Sequence, residues 1–315
     1  MRNIVFLLLV VPIAFAFAVC VGALLPDAHW LLDLLAQLLS PAFVIAVVAA
    51  LIALAARRWR LAGAGALAAL SAFAIAWPWT QATPPAHPET AHFTLLQYNV
   101  WVRNRSLGEL STAILALNAD VVVLLEITPE ARDQLRAVDA HYPQSFECWQ
   151  TSGCDGLVFS KLPIKEPHVD FTGPPDHSPI AWFETTADGC ALNIFLTHLT
   201  RPFPHAPYTA QFKQADDLAA ALRGWPGPKL LVGDLNAVPW GHVVKTVANQ
   251  ANLHVSLGSG GTWPSILPPL LRLPIDHALA SEGIGLSNRR VIALPGSDHV
   301  AVLTDVTIDD RTRCW

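Results

Sequence analysis

The chain has 315 residues, of which 52% are hydrophobic and 14% are charged, with a formal net charge of −5 at pH 7. This length accommodates one large domain or two smaller ones. The negative balance weakens, without excluding, the class of proteins that hold nucleic acid through a basic surface. These averages hide a sharp change near Trp79, since the sequence before it is membrane-like and the sequence after it is typical of a globular domain.

Three apolar stretches dominate the first 80 residues, covering residues 4–25, 34–56 and 61–77. About 20 residues cross a bilayer core, and lipid offers no partner to an unpaired backbone group. Residues 1–80 are therefore predicted to form a membrane anchor of about three transmembrane helices. The alternative for the first stretch is a cleaved signal peptide, although the apolar run is longer than such a signal requires. The alternative for the other two is a buried hairpin of a soluble protein.

Arginines flank these stretches at Arg2 and at Arg57, Arg58 and Arg60. Because Lys and Arg in short loops stay on the cytoplasmic side of a membrane, both groups are predicted to be cytoplasmic. Three spans then leave the remainder of the chain on the outer side.

Cysteine usage is consistent with an exported domain. Cys148, Cys154, Cys190 and Cys314 form an even set after the apolar stretches, and disulfides persist in oxidising compartments. We take Cys148 with Cys154 and Cys190 with Cys314 as the working hypothesis. Four free thiols are the alternative, and four cysteines allow three connectivities.

Residues 81–92 are predicted to be an extended linker because they are rich in proline. Residues 93–315 then alternate short apolar runs with helical patterns. Strands outnumber helices, which indicates two packed sheets flanked by helices, an α/β sandwich, rather than a repeating parallel array. The predicted strands are residues 93–100, 121–126, 156–160, 181–186, 191–198, 229–233, 275–280 and 301–308, and the predicted helices are residues 107–117 and 208–223.

Polar residues recur at the ends of these apolar strands. Each one alone is explained as well by a turn or a helix cap, but together they supply the carboxylate and amide oxygens of a hard divalent cation and the imidazoles that move protons. Cys and His clusters at zinc spacing are absent from the sequence, so Mg²⁺ or Mn²⁺ is the expected cofactor. The residues are Asn99, Glu126, His198, Asp234, Asn236, Asp276, His277, Asp298 and His299.

The ordered set of blocks around these residues resembles the endonuclease/exonuclease/phosphatase family, whose fold is that of DNase I. The resemblance covers residues 93–305 and implies a DNase I-like four-layer α/β sandwich. A hydrophobic leader of three helices is similar to that of membrane-anchored bacterial members. The blocks are Gln97-Tyr98-Asn99-Val100, Val122-Val123-Leu124-Leu125-Glu126, Phe159-Ser160-Lys161-Leu162-Pro163, Thr197-His198-Leu199, Gly233-Asp234-Leu235-Asn236, Ile275-Asp276-His277 and Ser297-Asp298-His299.

The resemblance implies a metal site in which Glu126 is the principal ligand and Asn99 lies beside it. Asp234 is implied either as a further metal ligand or as the group that activates water. Asp298 is implied as a second ligand or as support.

The catalytic roles are carried over in the same way. His299 is implied as the imidazole at the phosphate, oriented by Asp276, and Asn236 as a donor to a phosphoryl oxygen. His198 is implied as a second donor or as an aid to the leaving group. A substrate-binding glutamine in the following helix would be Gln214 or Gln211, and either is equally consistent with a solvated helix residue. Asp155 is assigned no catalytic role.

The resulting prediction is a membrane-anchored, divalent-metal-dependent phosphoesterase that hydrolyses phosphodiester bonds by attack of water. The alternatives are a phosphomonoesterase, a phospholipid or sphingomyelin-type hydrolase, and a noncatalytic membrane-tethered binding domain. Nucleic acid and lipid head groups are both candidate substrates, the bilayer is the expected partner of the N-terminal helices, and no protein partner is evident. The expected location is the bacterial inner membrane, with several spans and the catalytic domain on the periplasmic side.

Overall fold

The structure is a computed structural model that describes residues 2–81, 91–148, 154–170, 179–202 and 208–308. Within them, an N-terminal group of helices precedes an α/β sandwich. The helices of the first part are α1 (Arg2–Leu24), α2 (Trp30–Ala36), α3 (Leu39–Ala55) and α4 (Trp59–Thr80).

Two of these helices, α1 and α4, are long and apolar enough to cross a membrane, and α2 with α3 passes the same test only as a pair bent by 64°. The second apolar stretch, expected over residues 34–56, is thus divided between a short α2 and a separate α3. Pro41 lies in the first turn of α3, where a residue without an N–H is tolerated because that group has no helical partner.

Small residues allow these helices to approach closely. Ala42, Ala46 and Ala49 of α3 are buried, as is Gly65 of α4. A Cβ added at Gly65 would lie only 3.0 Å from the Cβ of Ala50. Packing through small side chains is the usual mode of helix association in lipid, where apolar bulk gives no net advantage.

Two mixed six-stranded sheets form the sandwich within the described part of the chain. The strands are β1 (Ala91–Asn99), β2 (Val121–Leu125), β3 (Gln144–Glu147), β4 (Leu157–Ser160), β5 (Lys165–Asp170), β6 (Ile180–Ala187), β7 (Cys190–His198), β8 (Lys229–Asp234), β9 (Leu253–Val255), β10 (Asp276–Ser281), β11 (Ile284–Ile292) and β12 (Ala301–Ile308). The strand orders in the two sheets are β11-β12-β1-β2-β4-β3 and β5-β6-β7-β8-β10-β9.

The two faces of each sheet bury different apolar sets, because successive side chains of a strand point to opposite sides. Phe93 and Leu95 of β1 pack between the sheets, whereas Leu96 and Tyr98 pack against the outer helices. The four layers confirm the predicted α/β sandwich. The helices that cover the sheets are α5 (Leu107–Leu117), α6 (Pro129–Gln134), α7 (Arg136–Asp139), α8 (Tyr208–Gly224) and α9 (His242–Ala251), and a short 3-10 helix lies at Pro269–Leu271.

The disulfide hypothesis is confirmed for one pair, since Cys148 and Cys154 are bonded, with their Cα atoms 5.5 Å apart. Cys190 is also disulfide-bonded. Its predicted partner, Cys314, lies outside the described residues, as does most of the predicted linker.

Hydrogen bonds fasten the N-terminal helices to the sandwich. The backbone N–H of Val238 donates to Oε1 of Gln37 at 3.0 Å, and Nε1 of Trp240 donates to the carbonyl of Ala36 at 2.7 Å. Val238 and Trp240 also belong to the apolar cluster of the helices. Removing one partner of such a buried hydrogen bond leaves the other partner unsatisfied, which costs free energy. The interface between the helices and the sandwich is therefore specific.

Candidate active site

The strand registers gather the chemically active side chains at one edge of the sandwich. Strands β1 and β2 are parallel, with Asn99 opposite Leu125, so Glu126 follows at the same edge. Strands β7 and β8 are also parallel, and His198 lies opposite Asp234. Strand β10 runs antiparallel to β8 and places Asp276 on the other side of Asp234. Asp234 is therefore flanked on both sides within its own sheet.

Asn99 connects the two sheets. Its Nδ2 donates to Oε1 of Glu126 at 3.0 Å and to Oδ2 of Asp234 at 3.0 Å. The second carboxylate oxygen of Glu126 accepts from the backbone N–H of Val102 at 2.9 Å. Glu126 adopts a φ of 58°, a left-handed conformation that is uncommon for a residue with a long side chain and that occurs mainly where function or packing requires it.

His299 is held by Asp276. Its Nδ1 lies 2.9 Å from Oδ2 of Asp276, which leaves Nε2 directed toward Oδ2 of Asp234 at 3.7 Å. Burial alone would lower the pKa of His299, but the hydrogen bond and charge of Asp276, together with the charge of Asp234, raise this pKa to about 9. The imidazole is thus cationic at neutral pH.

His198 has the same arrangement with a different carboxylate. Its Nδ1 lies 2.8 Å from Oδ2 of Asp155, and its Nε2 lies 3.8 Å from Oδ2 of Asp234. Burial opposes the charged form, whereas Asp155, Asp234 and Glu126 favour it and raise the pKa of His198 to about 10. Two cationic imidazoles therefore face one oxygen of Asp234.

Asp155, which was assigned no catalytic role from the sequence, lies in the site against His198. It comes directly before β4, which runs antiparallel to β2, so its side chain lies at the edge where β2 ends. The available signal was the one used elsewhere, a polar residue adjoining an apolar strand.

The charge distribution of the site suits a hard cation. Asp234 is 1% exposed, and burial together with the charge of Asp276 raises its pKa to about 6. One ligand atom each of Asp234, Asp276 and His299 lies within 4.8 Å of the others. Oδ1 of Asp276 is buried and has no hydrogen-bond partner among the described residues. Crowded carboxylate oxygens of this kind are the ligands that Mg²⁺ and Mn²⁺ prefer.

Asn236 lies beside this cluster. Its backbone N–H donates to Oδ1 of Asp234 at 2.8 Å, and its Nδ2 donates to the carbonyl of Leu199 at 2.9 Å and lies 3.3 Å from Nε2 of His198. Its φ of 48° is the left-handed conformation that asparagine tolerates better than most residues. The amide is thereby held next to both Asp234 and His198.

The remaining predicted residues lie farther from the carboxylates. Oδ2 of Asp298 accepts from Nε1 of Trp263 at 3.0 Å, although Asp298 still lines the cavity of the site. Among the described residues, Gln214 bonds with Thr200 through both ends of its amide, and Gln211 donates to the carbonyls of two residues in the loop after β8. Gln214 therefore supports the segment that follows His198, and Gln211 supports the loop that carries Asn236.

A cavity of about 360 Å³ opens above these groups. One part of its lining is polar and comes from the sandwich, and another part is supplied by the segment around α2. The lining residues are Leu34, Gln37, Leu38, Glu126, Arg201, Pro202, Asp234, Asn236, Trp263, Leu273, Ile275, Asp298 and His299.

The family model described as the endonuclease/exonuclease/phosphatase family matches residues 96–299, which begin just before Asn99 and end on His299. The chain belongs to this family. The fold is the DNase I-like fold of this family, whose members are in general metal-dependent phosphoester hydrolases.

Solved structures agree on the fold. An endonuclease/exonuclease/phosphatase from Beutenbergia cavernae is 17% identical, with a TM-score of 0.56, and the match covers 69% of this chain and 72% of that one. D. rerio TDP2 complexed with a single-strand DNA product is 17% identical, with a TM-score of 0.55 and coverages of 68% and 98%. A beta toxin mutant from Staphylococcus aureus with bound magnesium ions is 16% identical, with a TM-score of 0.54 and coverages of 67% and 98%. No curated protein matches the chain by sequence.

His277 follows Asp276 in the family block, but it has a structural position. Its Nε2 donates to the carbonyl of Ala237 at 2.8 Å, and burial, with the charge of Arg289, lowers its pKa to about 4. The ring is therefore neutral in the folded protein at neutral pH, and its position as a buried donor favours packing over proton transfer.

This lowered pKa predicts acid destabilisation. Because the unfolded state binds a proton to His277 below pH 6.5 while the folded state resists until about pH 4, the stability from the neutral ring is complete above pH 6.5 and is lost as the pH falls. Between pH 7.5 and 4.5, we expect the free energy of unfolding of the wild type to fall by about 2.5 kcal/mol more than that of His277→Gln. Urea unfolding of both proteins at the two pH values measures this, and an equal loss in both would contradict it.

Proposed function

We propose that the protein is a membrane-anchored, divalent-metal-dependent phosphodiesterase that cleaves its substrate by attack of water. The observation that carries this proposal is the pair of imidazoles around Asp234. Each ring is held by its own carboxylate, His299 by Asp276 and His198 by Asp155, and each directs Nε2 toward the same oxygen of Asp234. A paired set of cationic donors suits a substrate whose phosphoryl group carries negative charge.

Glu126 and Asp234 are the proposed ligands of the cation, with Asn99 beside them. Asn99 now donates to both carboxylates, so as a ligand it would present Oδ1 after rotation of its amide. Asp298 is proposed as support because its carboxylate accepts from Trp263. When bound, Mg²⁺ or Mn²⁺ supplies positive charge to the phosphoryl oxygens and lowers the pKa of water.

Asp234 is the proposed base that takes a proton from the attacking water. Burial and the neighbouring charge of Asp276 raise its pKa to about 6, which brings it closer to the pH at which a general base works well. The N–H of Asn236 donates to Oδ1 of Asp234, whereas Oδ2 accepts from Nδ2 of Asn99 and faces both imidazoles.

The two imidazoles and Asn236 are proposed to bind the phosphoryl group. His198 and His299 are cationic at neutral pH, and each contacts its orienting carboxylate through Nδ1, so that Nε2 lies on the other side of the ring, toward Asp234. Each can donate to a phosphoryl oxygen, and charge that builds up on these oxygens in the transition state strengthens both bonds. Nδ2 of Asn236 lies next to His198 and adds a neutral donor. Gln214 contributes by holding Thr200 after His198.

The membrane part of the proposal rests on composition and on the disulfide. We assign residues 1–80 to the anchor with about three spans, residues 81–92 to a linker and residues 93–315 to the catalytic domain. Two helices are long and apolar enough to cross a membrane, and the number of candidate spans is three if the bent pair counts as one span. Arg2 precedes the first apolar stretch, and Arg57, Arg58 and Arg60 follow the second, which favours a catalytic domain on the outer side. The Cys148–Cys154 disulfide favours an oxidising compartment such as the periplasm.

Metal removal tests the reaction. Purified full-length protein in detergent is expected to hydrolyse bis-p-nitrophenyl phosphate with Mg²⁺ or Mn²⁺, to lose at least ~100-fold of this activity in EDTA, and to regain it when the metal is restored. Faster turnover of p-nitrophenyl phosphate than of bis-p-nitrophenyl phosphate would indicate a phosphomonoesterase instead of a phosphodiesterase. Activity that persists unchanged in EDTA would contradict the proposed metal dependence.

A further inference from the structure

The catalytic cavity is not formed by the sandwich alone. Its polar side carries Glu126, Asp234 and His299, whereas Leu34 and Leu38 from the α2 segment line another side. This segment is half of the bent pair that qualifies as a membrane span. The reacting groups and a candidate membrane helix therefore share one cavity.

The position of α2 in this cavity is fixed by buried polar contacts. The carboxylate of Asp33 is fully buried and accepts from the backbone N–H of His242 at 2.6 Å. Gln37, which itself lines the cavity, accepts from Val238. Leaving a buried donor or acceptor without its partner is costly, so α2 is held against the sandwich and its apolar side chains remain in the cavity wall.

The loop between Trp263 and Leu273, whose two ends line the cavity, exposes large apolar side chains. Ile266 is 88% exposed and Leu270 is 70% exposed, and both lie between Trp263 and Leu273, which line the cavity. Trp30, at the start of α2, is 43% exposed. Isolated exposed apolar residues are common, but here they occur on both segments that line one cavity, and one of these segments belongs to a candidate membrane span. This combination indicates contact with a lipid surface.

A second cavity of about 260 Å³ lies on the other side of this loop. The extended loop segment separates the two cavities, since Leu273 lines the catalytic cavity and the adjacent Arg272 and Pro274 line the second one. Phe43 of α3 and Phe73 of α4 give the second cavity an apolar wall among the membrane helices. An apolar space of this kind suits a hydrocarbon chain.

We propose that the substrate is a lipid phosphoester taken directly from the bilayer, which rests on the phosphodiesterase function proposed above. The phosphate lies against Asp234, His198 and His299, and the hydrocarbon part of the same molecule lies along Leu34, Leu38 and the exposed loop. Arg201 at the cavity wall carries the charge that complements an anionic head group. The cavity thus matches both ends of an amphiphile.

Charge makes nucleic acid a weaker choice. Of the 20 Lys and Arg residues, 16 follow position 80, because Arg2, Arg57, Arg58 and Arg60 precede it. Of the 25 acidic residues, 23 follow position 80, because only Asp27 and Asp33 precede it. The part of the chain after position 80 is therefore acidic. A polyanion gains most of its affinity from basic residues. An apolar wall across the cavity adds nothing to its binding, whereas the same wall stabilises a lipid chain.

The test compares two substrates with one protein. Full-length protein is reconstituted in vesicles of phosphatidylethanolamine and phosphatidylglycerol, and the release of water-soluble phosphorus compounds is measured beside hydrolysis of bis-p-nitrophenyl phosphate and of a single-stranded oligonucleotide. The variant I266E/L270E places charges at two exposed positions, where folding is least affected. I266L/L270M is its matched control, and L34Q/L38Q probes the wall supplied by α2.

The readout is the ratio of lipid turnover to soluble diester turnover. We expect this ratio to fall at least ~10-fold in I266E/L270E and in L34Q/L38Q, and to stay within about twofold of wild type in I266L/L270M. An unchanged ratio in I266E/L270E, or wild-type turnover of the oligonucleotide but not of lipid, overturns the lipid inference alone. Wild-type protein that hydrolyses none of the three substrates with metal present overturns the phosphodiesterase function as well.

Discussion

Asp234→Asn is expected to lower kcat for bis-p-nitrophenyl phosphate by about 1,000-fold, and Glu126→Gln by a similar factor. Asp234 lies within hydrogen-bond or ion-pair range of Asn99, Asn236, His198 and His299. An amide at this position removes the proposed base and one negative charge from the metal site. Initial rates at saturating Mg²⁺ measure the loss, and circular dichroism shows whether the fold is retained.

Two exposed residues of the same types supply matched controls for these substitutions. Asp188 lies in the turn between β6 and β7, and Glu130 lies in the first turn of α6. Asp188→Asn and Glu130→Gln remove the same charges away from the site, so both are expected to keep activity within about twofold of wild type. Activity of Asp234→Asn or Glu126→Gln above about a tenth of wild type, at saturating metal, would sink the assignment of these ligands.

His299→Ala is expected to cost about 1,000-fold in kcat, and Asp276→Asn about 100-fold. Alanine removes the donor altogether, whereas the asparagine leaves the imidazole in place without its orienting anion. The two variants should also differ in pH dependence. Because Asp276, together with Asp234, raises the pKa of His299 to about 9, the cationic donor is present below that pH and is lost above it. Removal of the Asp276 charge should move this loss toward the ordinary histidine pKa of about 6.5.

A pH–rate profile from pH 5.5 to 10 measures this shift. The activity of Asp276→Asn should decline at a lower pH than that of the wild type, whereas a merely structural role for Asp276 would lower activity without moving the profile. His92→Ala, which changes an exposed histidine of β1, serves as the control and should leave the profile unchanged. An alkaline limb at the same pH in Asp276→Asn and wild type would contradict the orienting role.

The sequence predicted the central strands of the sandwich well, and the reason is burial. Strand β12 (Ala301–Ile308) and helix α5 (Leu107–Leu117) have the predicted bounds, because their apolar residues repeat with the period of a buried strand or an amphipathic helix. The other predicted strands shifted by one or two residues at their ends, where pairing with neighbours decides the boundary.

The strands that the sequence did not predict are the edge strands of both sheets. Strands β3 and β11 end one sheet and β5 and β9 end the other. Edge strands carry polar residues because one side stays open to solvent, and Pro167 in β5 is tolerated for the same reason. Helix α9 was also missed, since three of its ten residues are valine and one is threonine, which have modest helix propensity.

The sequence by itself determined the family, the sandwich and the side chains that gather at one edge, because each of these residues ends or begins a buried strand. The tertiary structure alone decided two features. It brought Asp155 to His198 across 43 residues of sequence, and it placed Leu34 and Leu38 of an apparent membrane stretch in the wall of the catalytic cavity. Both depend on contacts between distant segments, which leave no periodic pattern in either segment, and so no local signal records them.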